Sequence, residues 1–568
     1  MAQPLIINEW KNAIADSPHE GIGLVRNADI DTFPGALKSG KKPSTIFFPA
    51  ASGTFTADAS TDICTSTAMT TTANTTGNVV QLTTTGTLPA GLTTGTNYFV
   101  IRVDQGAGTF KLATTIANAN AATAINITDA GSGTHTVTTL AVGTIRRIVK
   151  DTRNGIYYMH DSNGRVWYLN GTTANLLNGN TLTNGEGNGL ALLRTSDGSA
   201  TYLFVFRNKI VDVVNVFGTS EQENPSWTNG WKTDMNSGAG SGNSHNAINA
   251  QDNIIYFPDD RYVGSIKENS GQVFAPGNAA TYTWNPSALD LPQGEVAYWI
   301  EELGVNLLIS GASFNKIYPW DRISNSFSLP LPVPERGVYR MKNIGNIVYI
   351  QAGSRGNIYL TQGSYVRLFK KIPDYVINND ASVSGGVTWG GIESRNNELI
   401  VGLAATTTAN SGVYLIYSDG RLTLHSQPST GAANVTALAA DGAEDFIMGY
   451  AGGADLSDGA GTRYTSFETV VQSELYSVAT RTEKTSYHTL EAEFARTIAS
   501  SPFGNCRVSY RTNLTASFTT IETYTFSGSD VTVYSFTTPE LGIIDIENIQ
   551  VQVEMDGTPE LIELRFIP

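Results

Sequence analysis

Histidine and cysteine, the residues that most often bind metals or attack substrates, are spaced too widely in this chain for either role. The six histidines occur one per stretch, so the spacings H-x-x-H and H-E-x-x-H, which bring two imidazoles onto one ion, are missing. The G-x-S-x-G turn that presents a nucleophilic serine is missing as well. The two cysteines, Cys64 and Cys506, fall in different predicted modules, which argues against a disulfide framework and suits a reducing cytoplasm. We therefore predict no metal site, no cofactor and no Ser-His-Asp hydrolase.

Two pairs of adjacent carboxylates raise the question of sugar hydrolysis. Asp259 and Asp260 occur in "FPDDRY", and Glu301 and Glu302 occur in "WIEELG". Glycoside hydrolysis needs two carboxyl groups about 5–10 Å apart across the sugar. Neighbouring residues on a strand point to opposite faces, so neither pair by itself supplies the acid and its partner. A pair drawn from two separate strands remains open.

Three further acidic stretches have the composition of turns. "HDSNGRVW" places Asp161 three residues before Gly164, and "TSDGSATY" places Asp197 directly before a glycine; neither has the spacing of a sialidase Asp-box. We predict that both are hairpin turns closed by Asx-type hydrogen bonds. "DLSDGAGTRY", with Asp455 and Asp458, lacks the alternating ligands of a calcium loop, so we predict no metal there.

Two clusters are candidates for surface contacts. In "NPSWTNGWK" we predict a Gly/Asn loop folded over its own tryptophans, Trp227 and Trp231; the alternative is that these two side chains are exposed and touch a sugar or a protein. In "KSGKKP" the basic residues Lys38, Lys41 and Lys42 are too few for a nucleic-acid patch, and we predict a contact with an acidic neighbouring subunit. No residue is assigned a catalytic role, and we predict that the protein is not an enzyme.

The composition favours many short strands over helices. Charged residues make up only 15% of the 568 residues, and there are 56 glycines beside abundant Thr, Asn and Ser. The net charge of −15 argues against a duplex-binding surface, which needs clustered Lys and Arg, but it suits a protein past which DNA slides. The first twenty residues lack the pattern of a secretory signal, and no apolar run is long enough for a membrane helix, so we expect a soluble protein.

The middle of the chain repeats itself. An apolar strand that reaches a polar turn and returns as a second strand recurs seven times, 40 to 53 residues apart, starting at Tyr157, Leu203, Ile254, Leu307, Ile347, Leu399 and Phe446. A period near 40–50 residues with several strands per unit is typical of a β-propeller. We predict about seven blades. The last copy is weak and strands from the N-terminus could complete a blade, so six or eight remain open.

Differences in composition and in the pattern of apolar residues divide the chain into four segments. Residues 1–51 form an N-terminal arm with the first propeller strands, and residues 52–141 form an inserted threonine-rich β-module of strand-length runs between turns. Residues 142–465 form the propeller. Residues 466–568 contain strands such as "NCRVSYRTN" that alternate between apolar and polar positions, which predicts a C-terminal β-sandwich or jelly roll. The predicted fold class is therefore all-β.

Two stretches resemble known phage proteins. The phrases "TGTLPAGLTTGTNYFVIRV", "GTFKLATT" and "TDAGSGTHTV", within residues 64–138, resemble a small β-module that recurs as an insertion in structural proteins of tailed bacteriophages. The leader "WKNAIADSPHEGIGLVRNADIDTFPGALK" resembles the opening of virion proteins that continue into a propeller and a β-sandwich, similar to tail-hub or nozzle proteins of short-tailed phages. That resemblance implies a ring of generally six subunits around a DNA channel, and no catalytic residues.

We therefore interpret the chain as a structural component of a phage tail, assembled in the host cytoplasm and located in the virion. Expected partners are other copies of itself in a ring, with a hexamer favoured, adaptor and fibre proteins of the tail, DNA that passes through the lumen without specific binding, and host surface glycan. The inserted module is expected to be a peripheral accessory. A receptor-binding tail-fibre protein that grips host glycan is the first alternative, and a propeller-type polysaccharide depolymerase is the second.

Overall fold

A computed structural model describes residues 5–7, 22–29, 37–177, 189–207, 209–223, 225–236, 246–373, 376, 387–406, 408–442, 445–457, 469–473, 476–477, 484–494, 504–513, 516–526, 534–557 and 560–568. Strands dominate, and helices are short. The helical segments are α1 (Ile116–Asn120), α2 (Thr219–Glu223) and the 3-10 turns Thr67–Thr70, Ala279–Thr281 and Thr408–Asn410.

The strands fall into four groups along the chain. The N-terminal arm contains β1 (Leu5–Ile7), β2 (Ile22–Arg26), β3 (Ala28–Asp29), β4 (Leu37–Ser39) and β5 (Ser44–Thr45). The inserted module contains β6 (Ser52–Asp58), β7 (Ile63–Thr65), β8 (Val79–Thr84), β9 (Asn97–Asp104), β10 (Thr109–Ala113) and β11 (His135–Thr139). The C-terminal group contains β39 (Thr469–Ser473), β40 (Tyr476–Ser477), β41 (Thr485–Phe494), β42 (Asn505–Arg511), β43 (Thr519–Thr525), β44 (Tyr534–Ile546), β45 (Asn548–Met555) and β46 (Glu560–Ile567).

The strands between these groups form the blades of the propeller. Blade 1 consists of β12 (Ile145–Asp151), β13 (Ile156–Asp161), β14 (Val166–Asn170) and β15 (Thr173–Leu176). Blade 2 consists of β16 (Gly189–Arg194), β17 (Thr201–Arg207), β18 (Ile210–Asn215) and β19 (Trp227–Lys232). Blade 3 consists of β20 (Ile248–Asn249), β21 (Ile255–Asp259), β22 (Tyr262–Glu268) and β23 (Tyr282–Asp290). Blade 4 consists of β24 (Ala297–Leu303), β25 (Asn306–Gly311), β26 (Lys316–Trp320) and β27 (Leu331–Pro332).

The remaining blades follow the same order from the inside outward. Blade 5 consists of β28 (Val338–Ile344), β29 (Ile347–Ala352), β30 (Asn357–Thr361) and β31 (Val366–Lys371). Blade 6 consists of β32 (Val387–Arg395), β33 (Glu398–Ala405), β34 (Gly412–Ile416) and β35 (Leu422–Ser426). Blade 7 consists of β36 (Val435–Asp441), β37 (Asp445–Tyr450), β38 (Gly453–Leu456) and β5 from the arm.

These sheets close into a circle, which confirms the predicted all-β propeller fold. The inner strand β12 contacts β16 of blade 2, and contacts between neighbouring blades continue around the circle, through β21 and β24 for blades 3 and 4, until β36 of blade 7 contacts β12 again. Strands in the middle of a blade are covered on both faces by neighbouring blades, so every residue of β21 is buried. Phe206 of blade 2 and Phe257 of blade 3 pack with ring centroids 5.0 Å apart. Gly264 is required beside them, because an added Cβ would lie 2.1 Å from the Phe257 ring.

The arm completes blade 7. Thr45 and Ser44 of β5 lie opposite Asp455 and Leu456 of β38, and the Ile46 amide donates to the Ala454 carbonyl at 2.9 Å. The outermost strand of the last blade therefore comes from the beginning of the chain. This pairing holds the circle of blades closed, since opening the propeller there would break the sheet of blade 7.

The arm also joins the propeller to the C-terminal sandwich. Strand β2 lies between β35 of blade 6 and β39, with Arg26 opposite Leu424 on one side and Val25 opposite Val471 on the other. Blade 6 thereby continues as one sheet through β2, β39, β45, β42 and β43. The second sheet contains β3, β4, β46, β41 and β44, with β1 on β46. The two sheets pack face to face, with the Phe494 ring 4.9 Å from Phe526 across the core.

The inserted module is a closed barrel in the strand order β10-β7-β6-β11-β8-β9. Its interior holds an apolar cluster of its own that includes Phe55, Val100 and Phe110. The first and last strands lie side by side, because the Ala51 amide donates to Thr139 Oγ1 and the Thr139 amide donates to the Ala51 carbonyl, both at 2.8 Å. The barrel therefore fits into the connection between β5 of blade 7 and β12 of blade 1.

Candidate functional site in the propeller channel

The adjacent carboxylates do not form a catalytic pair with each other. Asp259 is buried and accepts hydrogen bonds from the Asn236 amide at 2.7 Å and from Asn236 Nδ2 at 3.0 Å. Asp260 occupies the following turn with a φ of +59°. Glu302 forms a 3.0 Å ion pair with Arg322. Asp259 is therefore hydrogen-bonded at the end of a strand, Asp260 lies in a turn and Glu302 is ion-paired, which leaves Glu301 for the channel described below.

The acidic turn motifs form the predicted hydrogen bonds. Asp161 accepts from the Asn163 amide at 2.9 Å and pairs with Arg165 at 3.0 Å. Asp197 accepts from the Ser199 amide at 3.0 Å, and this hydrogen bond lowers its pKa. Asp455 is buried beside Tyr450, and burial raises its pKa. Asp458 and the glycine after it lie outside the described residues.

The predicted loop around Trp227 and Trp231 is instead a strand, β19, on the outer edge of blade 2. The Trp231 ring packs 4.9 Å from Tyr282 and 5.8 Å from Trp284 of blade 3, and its indole N–H donates to the Pro276 carbonyl at 3.0 Å. Lys232 Nζ lies 4.9–5.9 Å from the centroids of these three rings. The tryptophans thus take part in packing between blades, and both are half-buried. The sequence missed the strand because its Asn and Gly residues are typical of loops.

The basic run lies where the arm passes from the sandwich to blade 7. The backbone of Lys38 is in β4 and is paired with Glu560 of β46 in the same chain. Lys41 is exposed, and Lys42 is half-buried. Both come just before β5. The run is therefore close to the strand that closes the propeller, a position that its sequence spacing does not reveal.

The channel at the centre of the propeller is crossed by two arginines. Arg147 extends from β12 of blade 1, and its guanidinium carbon lies 4.6 Å from the ring centroid of Trp299 on blade 4. Arg340 extends from β28 of blade 5, lies 5.4 Å from the same ring and donates to the Thr436 carbonyl of blade 7 at 2.8 Å. Side chains from blades 1, 4 and 5 and a backbone carbonyl from blade 7 thus meet across the channel. A guanidinium against an indole face gives a cation–π contact.

Three more charged side chains line the same channel. Lys342 of blade 5 forms an ion pair with Glu393 of blade 6. Glu301 of blade 4 lies near both, and burial raises its pKa to about 7 despite the opposing effect of Lys342. The pKa of Lys342 is raised as well, because Glu393 and Glu301 outweigh the effect of burial. Glu301 can therefore gain or lose a proton close to neutral pH.

The channel cluster consists of Arg147, Glu301, Arg340, Lys342 and Glu393. Within it, the guanidinium of Arg147 is held in an unfavourable environment for its charge. Burial and the nearby Arg340 lower its pKa to about 10. Its Nε is shut off from solvent and has no hydrogen-bond partner. The cluster links blades across the channel through cation–π contacts, an ion pair and a hydrogen bond. Its members come from strands spread over nearly half the chain, so no motif signals them.

Other reactive groups in the described residues are structural. Both cysteines are buried and unpaired, and burial raises the pKa of Cys64 to about 12, which suppresses the reactive thiolate. No group of three His, Cys, Asp or Glu within the described ranges could hold a metal ion. None of the helices in these ranges combines the length and the hydropathy needed to cross a membrane.

Comparisons with known proteins found similarity in structure only. No family model matches the sequence, and no curated protein matches it. The WD40 propeller domain of Doa1 is 11% identical, with a TM-score of 0.37, and the match covers 56% of this chain and 93% of that one. The propeller domain of Myceliophteria thermophila Cps50 (Swd1) is 10% identical, with a TM-score of 0.37 and coverage of 56% and 96%. YCF48 bound to D1 peptide is 9% identical, with a TM-score of 0.38 and coverage of 56% and 91%.

Proposed function

We propose that this chain is a structural subunit of a bacteriophage tail, assembled into a hub- or nozzle-like ring that forms part of the DNA-ejection channel and docks other tail proteins. The body plan carries the proposal: a propeller with a barrel in one connection and a sandwich joined to it by an N-terminal arm. The phrases in residues 64–138 and in the leader that resemble phage structural proteins support the same assignment.

The channel cluster bears on where DNA would run. Arg147 and Arg340 extend across the propeller channel, so in this proposal DNA does not pass through the propeller itself. DNA would pass through the hole at the centre of the ring of subunits. The net charge of −15 would let the genome move past without sticking, because phosphate and carboxylate repel each other.

The pairing of the N-terminal arm with both the propeller and the sandwich suits a subunit that must withstand mechanical force. The arm pairs with blade 7, with blade 6 and with both sheets of the sandwich. A pull on one module is therefore carried to the other by backbone hydrogen bonds in a continuous sheet. A closed homo-oligomeric ring under the pressure of genome ejection needs subunits that do not come apart internally.

Negative-stain electron microscopy of the purified protein tests the proposal. We expect closed rings, with six subunits as the favoured number. A trimeric particle that binds host glycan on an array would contradict the ring and support a receptor-binding protein. Release of reducing sugar from host polysaccharide would contradict it in favour of a depolymerase.

A further inference from the structure

Blade 5 is strongly basic in an acidic protein. Residues 333–372 contain seven Lys and Arg and a single acid, Glu335, while the whole chain has a net charge of −15. Arg340 and Lys342 belong to the channel cluster. The other five basic residues lie outside that cluster: Arg336 precedes β28, Arg355 lies in the turn between β29 and β30, and Arg367, Lys370 and Lys371 belong to the outer strand β31.

The outer surface of the blade combines positive charge with exposed apolar side chains. In β31, Arg367, Leu368 and Lys371 are exposed, and Tyr365 immediately precedes the strand. Tyr365 is 66% exposed and Leu368 is 52% exposed. Large apolar side chains on a free strand edge are costly to leave in water, and they mark a surface that binds another protein.

The arginines of this surface have no carboxylate partner among the residues that the structure describes. Arg336, Arg355 and Arg367 are exposed, and none of them forms a salt bridge with another described residue. Glu335, the one acid, instead accepts hydrogen bonds from the Tyr359 hydroxyl at 2.9 Å and from Asn357. We call Arg336, Arg355, Tyr365, Arg367 and Leu368 the blade 5 patch. Arg336 and Arg355 lie toward the end of the blade where Asn357 pairs with Lys371, and Tyr365 precedes the other end of β31, where Val366 pairs with Thr361.

Protection of a free edge does not account for the blade 5 patch. Lysines on an edge strand commonly prevent aggregation. The outer strands β19 and β23 are also edges, yet each carries a single charged residue, Lys232 and Asp290. Edge protection would also leave Arg336 and Arg355 unexplained, since both lie in turns outside β31.

The same chain contains a surface of opposite charge. Residues 469–568 contain 13 acids and six Lys and Arg. On the outer face of the sheet formed by β46 and β41, Glu491 and Glu563 flank Arg565, and Glu493 is exposed. Ile6 of β1, 46% exposed, lies opposite Arg565 in the register. This acidic face therefore combines carboxylates with an exposed apolar side chain, as the blade 5 patch combines guanidinium groups with the exposed Tyr365 and Leu368.

We propose that the blade 5 patch of one copy docks on the acidic face of the sandwich of the next copy. The proposal rests on the proposed function, since it gives the contact that would close the ring. The contact is heterologous, joining two different surfaces, and such contacts generate rings when the rotation closes. The exposed apolar side chains of Tyr365 and Leu368 favour a protein partner over the phosphate backbone of DNA.

Charge reversal tests this contact by sedimentation velocity and electron microscopy. The variant R336E/R355E/R367E should associate at least about a hundredfold more weakly than the wild type, because like charges would face each other. The variant E491K/E493K/E563K should fail in the same way. The matched control K209E/K267E/K316E reverses three exposed lysines on blades 2, 3 and 4 and should assemble normally.

Mixing the two defective variants separates a lost contact from a damaged fold. In an equal mixture each reversed surface meets an oppositely charged one on the other variant, so alternating rings should form. Normal assembly of R336E/R355E/R367E would overturn the proposal, and so would a mixture of folded variants that stays dissociated. Salt-dependent binding of duplex DNA by the wild type, lost in R336E/R355E/R367E while rings persist, would identify a nucleic-acid surface instead. A monomeric wild type would overturn the proposed ring itself, a result distinct from these.

Discussion

The inserted barrel and the body made of propeller and sandwich differ in where their strands find partners. Every strand of the barrel pairs within residues 52–139, and the strand order closes on itself. In the body, β5 pairs with β38 from the far end of the propeller, and β2 lies between blade 6 and the sandwich. The barrel is therefore a complete unit, while the body depends on a single arm that is shared by two modules.

This difference teaches how each region obtains its stability. A closed barrel has no free edge, and its core is filled by its own side chains, so it can be placed in a connection without support from its host. The body must close very long loops before β2 and β5 reach their partners, and only the completed sheets offset that entropy. We expect the barrel to unfold in its own transition, and the propeller and sandwich to unfold together in a single second transition.

The largest effect should come from a charge placed in the shared arm. Val25 is fully buried between blade 6 and the sandwich. Val25→Asp should lower the free energy of unfolding of the body by about 5 kcal/mol, because a buried carboxylate finds no partner there. Calorimetry should show a lower transition temperature for the body and an unchanged one for the barrel. Val103→Asp, on a barrel valine that is 48% exposed, is the control and should have little effect. Equal shifts in both variants would show that Val25 does not couple the modules.

A cavity in the barrel should produce the reverse result. Phe110 is fully buried in the barrel core. Phe110→Ala should cost about 3–4 kcal/mol through lost burial and an unfilled cavity. Only the barrel transition should move in denaturant titration followed by hydrogen exchange. A matching shift in the blades would mean that the barrel supports the body.

A pH effect of intermediate size should belong to the body alone. The pKa of Glu301 is raised from 4.5 to about 7 in the folded state, so the folded chain keeps a proton that the unfolded chain releases between these values. The free energy of unfolding of the body should therefore fall as pH rises from 4.5 to 7, by about 2 kcal/mol after allowance for partial exposure. Glu301→Gln should lack this fall, as measured by urea titrations at several pH values. Identical pH slopes in wild type and variant would contradict the raised pKa.

The smallest effect should follow from removing the barrel. Ser52 and Thr138 are directly paired, so a two-glycine linker can join Ala51 to Leu140. Deletion of residues 52–139 should change the free energy of unfolding of the body by less than about 1 kcal/mol, since the bonds that are lost lie within the barrel. Rings seen by electron microscopy should persist. Loss of both ring and body stability would show that the barrel is integral.

The repeats were readable because blades impose a strong local pattern. A strand such as β21 is covered on both faces, so "IIYFP" is apolar throughout, and its recurrence predicted the propeller and the number seven. The turns at Asp161 and Asp197 were readable too, since their hydrogen bonds join residues two apart. Trp227 and Trp231 were misplaced in a loop, because an outer strand is only weakly constrained by burial.

No sequence pattern predicted the channel cluster. Glu301 attracted notice only as half of a carboxylate pair, while Arg147 and Arg340 resembled ordinary basic residues in strands. Their partners come from blades on the other side of the ring. Only closure of the circle brings a guanidinium from blade 1 to within 4.6 Å of the Trp299 ring.

The sequence by itself determined that this protein is built of strands, that a unit of several strands recurs, and that a β-module is inserted near its beginning. Tertiary structure decided that β2 joins blade 6 to the sandwich, that β5 closes blade 7, and that five charged side chains from different blades come together in the channel. The physical reason lies in the range of the forces involved. Alternation and apolar runs record how each strand is buried, whereas the identity of its partner depends on which edges remain free when the ring closes.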